Sequence, residues 1–167
     1  NILRRIPFVY TQQREQGIAV HVPFAVELAR CFRYLPFSPD LSGARFFRMG
    51  SGKDALQIPY PDLLIHYAGP SGTFLRIPYH KAVQGDLSEY DLAGRICLMG
   101  TTRATDQDFK MVPCFSRETA DNVSELRKIF PRLSVSGRRQ LMPGIEVHAN
   151  ILQNVLEGRY IRDRRRS

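Results

Sequence analysis

His148, together with the polar loop some forty residues before it, is the part of this chain best equipped for chemistry. It stands among apolar positions of a stretch with helical spacing, and two readings of it follow. In one, the imidazole belongs to the core and is satisfied by a backbone carbonyl or a carboxylate. In the other, it faces the loop Thr101 to Asp108, within reach of Asp106 or Asp108. Imidazole changes charge near neutral pH, and a carboxylate beside it favours the charged form, so such a pair would sense pH or hold a polar ligand. Arg103 would fix an anionic group of that ligand, or is simply a surface arginine. Thr101, Thr102, Arg103, Asp106, Asp108 and His148 are the sensing candidates.

Other groupings are weaker. Gly50-Ser51-Gly52-Lys53-Asp54 has a glycine and lysine in phosphate-loop order. That motif also needs a glycine five residues before Gly52 and a hydroxyl after Lys53, where Phe47 and Asp54 stand, so a polar turn between strands is the better reading. Cys114, His148 and an aspartate would suit a small hydrolase, yet no nucleophile elbow or known cysteine-enzyme context surrounds them. No cysteines lie two residues apart as metal ligands do, and neither a metal nor a cofactor is expected. Cys97 is expected to be a small buried hydrophobe. Cys31 and Cys114 are either two free thiols, the favoured reading, or a disulfide in an oxidising compartment.

The elements that must position these groups follow from pattern. Arg95 to Met99, between Gly94 and Gly100, is a short apolar run, expected to be a fully buried strand. The polar loop then leaves the carboxyl end of that strand, where ligands bind in open α/β sheets. After Pro143-Gly144, residues Ile145, His148, Ala149, Leu152, Val155 and Leu156 recur at helical spacing, with Glu146, Asn150, Gln153, Asn154 and Glu157 on the other side, where Glu146 and Asn150 are expected in solvent. That helix starts near Pro143 and stops at Gly158. Residues 4–11 and 17–22 read as strands, with a hairpin turn near Gln12 to Gly17 as an alternative. A helix follows Pro23, with Phe24, Ala25, Leu28, Ala29 and Phe32 as its apolar face, ending before Pro36. Residues 36–43 are loop by composition. Ala44 to Met49 and Leu63 to Tyr67 are strand candidates, Tyr79 to Val83 a helical turn, and Ala120 to Phe130 a helix.

"GRICLMGTTRATDQDF" followed by "MPGIEVHANILQNVLEG" resembles the second half of the type 2 CHASE domain. That family is the extracytoplasmic sensory module of bacterial adenylate cyclases, diguanylate cyclases, histidine kinases and related receptors. Ile65-His66-Tyr67-Ala68-Gly69-Pro70, with Phe74 and Ile77-Pro78-Tyr79 behind it, is similar to the family's strand ending in tyrosine, glycine and proline. Leu3-Arg4-Arg5-Ile6-Pro7-Phe8 resembles its arginine-rich entry to a strand. The likeness is tightest at 63–108 and 141–158, and it carries an aspartate and a helix histidine of the family onto Asp106 and His148. The family's module normally opens with further strands and helices after a membrane helix. The chain is therefore expected to be the carboxyl-terminal part of the module, residues 1–158, followed by a basic membrane-proximal flank, 159–167.

Charge and length fit that expectation. The chain has 167 residues, 43% of them hydrophobic, enough for one core. It has no run of the eighteen or so apolar residues that a membrane helix needs. Of its formal charge of +8, half sits in residues 159–167, which hold five arginines and one aspartate. Such a cluster suits anionic headgroups, although basic residues favour the cytoplasmic side of a membrane. It also admits a basic nucleic-acid-binding domain, which no nucleic-acid fold signature supports. The expected fold is α/β, a mostly parallel sheet with helices on both faces, incomplete because the upstream half is missing. The expected function is non-catalytic sensing in a bacterial membrane-bound receptor, outside the cytoplasm. An unknown small ligand or environmental signal, membrane helices of the longer protein and a homodimer mate are the expected partners.

Overall fold

The computed structural model describes residues 5–7, 10–14, 17–37, 39–40, 46–102, 108–113 and 140–161, with the backbone alone for 10–14, 17–20, 39–40 and 140. In chain order these form β1 (Arg5–Pro7), β2 (Tyr10–Arg14), β3 (Gly17–His21), α1 (Phe24–Phe32), β4 (Pro39–Asp40), β5 (Phe46–Met49) and β6 (Leu56–Pro59). After them come β7 (Asp62–Leu64), α2 (Tyr79–Gln84), β8 (Phe109–Val112), β9 (Gln140–Pro143) and α3 (Gly144–Glu157). The helix expected at Ala120 to Phe130 lies outside the described residues. Pro39–Asp40 forms a two-residue strand within the stretch 36–43 expected to be loop.

The chain mixes helices with sheet, but every strand pair among the described residues is antiparallel. β1 pairs with β7, β2 with β3, β5 lies between β4 and β6, and β8 pairs with β9. The expected mostly parallel sheet is thereby corrected. Two residues separate β2 from β3 and six separate β5 from β6, whereas a parallel pair needs a crossover of a dozen or more. Gln12 and Gln13, expected near a hairpin turn, lie inside the β2–β3 ladder opposite Ala19 and Ile18. The turn Gly50 to Asp54 is a polar, exposed link from β5 to β6.

A second correction concerns residues 95–99, expected as a buried central strand. They pair with no strand among the described residues. Arg95, Cys97 and Met99 are exposed while Ile96 and Leu98 pack against the core. Alternation with one face inward is the mark of a half-buried extended chain. Cys97, expected to be buried, is exposed. The run read as continuously apolar because two of its outward residues, Cys97 and Met99, are themselves apolar.

Phe47, Met49, Leu56 and Ile58 of β5 and β6 form the centre of the core, with Leu63, Val112 and Met142 from neighbouring strands. α3 closes it with Val147, Ile151, Leu152 and Val155. α1 presents its small buried residues, Ala25, Val26 and Ala29, so a second helix can approach closely. The two helices run in the same direction. Phe24 lies edge-on to His148 at 5.5 Å between ring centres, and at the other end Arg33 Nη2 donates to the Leu156 carbonyl at 2.6 Å.

Both helices close on a left-handed residue at that second end. For α3 it is Gly158, φ 65°, with the Arg159 N–H bonding to the Asn154 carbonyl. For α1 it is Tyr34, φ 54°. The Tyr34 N–H reaches the Cys31 carbonyl and the Leu35 N–H the Arg30 carbonyl, which is the Schellman pairing, and Leu35 tucks into the core. Arg30 Nη1 donates to the Leu35 carbonyl at 2.6 Å and holds the turn shut. A side chain in this conformation costs roughly 1–2 kcal/mol, which glycine avoids.

Candidate functional site

Two loop segments converge on the first turn of α3. The Gly144 N–H donates to the Asp108 carbonyl at 2.8 Å, and the Asp108 carboxylate lies so near that a Cβ on Gly144 would overlap it. The carboxylate thus stands where the unpaired N–H groups of a helix start attract negative charge. The carboxylate pairs with Lys110 Nζ, 3.3 Å away. Gly100 rests on Ile145, where a Cβ would meet the isoleucine side chain at 2.9 Å. Thr101 and Thr102, both exposed, follow directly.

His148 lies one turn along from Gly144, half-buried. Its Nδ1 is buried and has no hydrogen-bond partner among the described residues. The structure brings Thr101, Thr102 and Asp108 to the entrance of α3, while the His148 ring meets Phe24 of α1. Arg103 and Asp106 lie outside the described residues, and so does the proposed pairing of Asp106 with His148. Cys114 is outside them as well. Cys31 is exposed, with its Sγ 3.8 Å from Glu27 Oε1.

The larger polar construction includes Glu146 and Asn150, the two residues expected in solvent. Glu146, Asn150 and Asn154, spaced by four, are 5%, 0% and 3% exposed. They form a stripe along α3 that grips residues 66–76. Asn154 Oδ1 accepts from the His66 N–H at 2.7 Å, and its Nδ2 donates to the His66 carbonyl at 2.8 Å. The amide side chain does what a neighbouring strand's backbone would do. Asn150 Oδ1 accepts from the Ala68 N–H at 2.9 Å, while its Nδ2 donates to the Glu146 carbonyl at 2.8 Å.

The Glu146 carboxylate accepts from the Gly72 N–H, from Arg76 Nε at 2.7 Å and from Arg76 Nη2. Arg76 Nη2 also reaches Ser71 Oγ at 2.9 Å. Gly72 adopts φ 89°, a conformation that favours glycine, and so turns its N–H to the carboxylate. A buried carboxylate with a guanidinium and a backbone N–H is a costly arrangement unless each group is met. Here the partners are supplied by one loop. The expectation that Glu146 and Asn150 face solvent is therefore corrected. The available signal was three short polar side chains spaced by four on a helix that is apolar on its other faces.

Among the described residues, no three histidine, cysteine, aspartate or glutamate side chains are grouped as metal ligands, and no helix is long and apolar enough to cross a membrane. The polar stripe binds backbone groups and the Arg76 guanidinium, and among the described residues no nucleophile faces a base within it. Its chemistry is that of a clamp, which fixes one segment of chain against one helix.

The family model described as the CHASE2 domain matches residues 1–167, the whole chain. No curated protein and no solved structure matches the chain significantly.

Proposed function

Because the chain belongs to the CHASE2 domain family, a family of extracytoplasmic sensory domains, we propose that it is the sensing part of a bacterial membrane-bound receptor whose cytoplasmic output is a cyclase or a kinase. The family match over the full chain is the observation that carries this reading. Sensing here is non-catalytic: a ligand or environmental change favours one arrangement of the domain over another, and does so only as far as it binds one of them better.

The entrance of α3 is the proposed sensing end, with Thr101, Thr102, Asp108 and His148 there; Arg103 and Asp106, between Thr102 and Asp108 in sequence, are the further candidates. Support comes from the direct contact of Asp108 with the first turn of α3 and from the unpartnered Nδ1 of His148. A change at that end reaches α3 directly. α3 in turn holds residues 66–76 through Glu146, Asn150 and Asn154 and leads into Arg159 and the basic flank.

In the full-length receptor, Asp108→Asn and His148→Gln are expected to alter output activity several-fold, while Lys53→Ala on the exposed β5–β6 turn leaves it unchanged. Unaltered output from both site variants, with the receptor folded and in the membrane, would contradict this assignment.

A further inference from the structure

α1 and α3 end together, and the surface around their ends combines exposed rings with arginines. Tyr34 is 95% exposed in the left-handed turn that closes α1. Its ring buries nothing for the fold, and glycine would make the same turn without strain. Phe32 and Phe37 on either side are 44% and 49% exposed, and Ile161, just past α3, is 45% exposed. Arg33 ties this turn to the last turn of α3. Arg159 is exposed there, and residues 159–167 together hold five arginines and one aspartate.

Aromatic rings with a polar tip settle at the depth of lipid headgroups, and arginines nearby meet phosphates. Arg159 itself pairs with Glu157 Oε2 at 3.2 Å, on the surface, so the charge of this end comes from the run of arginines in 159–167. The other exposed apolar group, Leu75, Tyr79 and Val83 at α2, has no such run beside it, and its neighbour Lys81 is engaged by Glu89 and Asp86. We propose that the shared end of α1 and α3 is a membrane-docking face. Phe32, Tyr34, Phe37 and Ile161 seat at headgroup level of an anionic bilayer, and the net positive charge of the sequence 159–167 draws the end to its phosphates. The proposal rests on the receptor reading and deepens it, since the helix that carries the polar clamp would then end on the lipid surface.

The test uses the whole chain with phosphatidylcholine vesicles, with and without phosphatidylglycerol. Salt-sensitive binding to the phosphatidylglycerol vesicles is expected. Tyr34→Gly relieves the strained turn, so its melting temperature should hold or rise while vesicle binding falls several-fold. The chain has no tryptophan, so Tyr34→Trp supplies a lone indole whose emission should move to the blue on vesicles. Replacing Arg162, Arg164, Arg165 and Arg166 by glutamine should weaken binding by up to about fivefold for each arginine at the surface. Equal vesicle binding by Tyr34→Gly and the parent chain, or an indole emission indifferent to vesicles, overturns the proposal. Binding to a nucleic-acid duplex that vesicles fail to displace also overturns it. A domain that faces outward while Tyr34→Gly binds normally keeps the receptor reading and loses this face. A domain that faces the cytoplasm loses both.

Discussion

Asn154 is the residue on which the clamp is easiest to measure. Its side chain holds both the N–H and the carbonyl of His66, so Asn154→Ala leaves those backbone groups without their partner. A loss of about 1–3 kcal/mol is expected from urea unfolding. Gln153, its neighbour in sequence, bonds to Glu157 on the surface side, and Gln153→Ala should stay within about 0.5 kcal/mol. Equal effects would mean that the stripe does not bear on stability. Tyr160 offers a pH test. Burial raises its pKa well above the ordinary 10.0, with Arg33 offsetting part of the rise. The folded state therefore holds the phenol proton more tightly than the unfolded state. That contribution is fully present below the unfolded value and is lost as pH rises from there towards the folded one. Since the Tyr160 hydroxyl has no hydrogen-bond partner among the described residues, Tyr160→Phe should keep or raise neutral stability and remove this alkaline loss. The urea midpoint followed against pH checks both. The sequence showed His148 as a residue of interest and set Asn154 on a polar face, but it could not show what Asn154 holds, because a bond across 88 positions of chain leaves no local pattern.

At the scale of elements, α3 was legible from end to end. Pro143 and Gly158 punctuate it, and the observed helix spans Gly144–Glu157. Its faces were only half legible. Leu152 and Val155, assigned inward, are buried, whereas Ile145, Ala149 and Leu156 are half-buried and Val147 and Ile151 take the central places. A single apolar stripe describes a helix with one covered side. α3 is covered on two, by α1 and by the strands, with the polar stripe against residues 66–76. Leu152→Ala is expected to destabilise the domain by about 2–5 kcal/mol as a buried large-to-small change, read from chemical denaturation. A cost near zero would place Leu152 outside the core. α1 was legible in its extent from Pro23 and its spacing, but its face was not: Phe24 and Phe32, assigned to the apolar face, are exposed, while Val26 is buried with Ala25 and Ala29. The tyrosine that closes it was not legible either, since composition predicts glycine in that turn. The stretch 95–99 was misread because apolar content does not distinguish an inward from an outward side chain.

For the whole molecule, the antiparallel pairings replace the mostly parallel sheet expected around the apolar run 95–99, and the family assignment survives that change. Motifs in order along the chain carried the assignment, and they do not depend on strand direction. Sidedness is the property on which the account depends. Cys97 is exposed, so a receptor with Cys31 and Cys114 replaced by serine keeps one accessible thiol in this domain. In intact cells a membrane-impermeant maleimide that reaches the periplasm should label Cys97 without lysis. Labelling that appears only after the cytoplasmic membrane is broken would contradict an extracytoplasmic sensor.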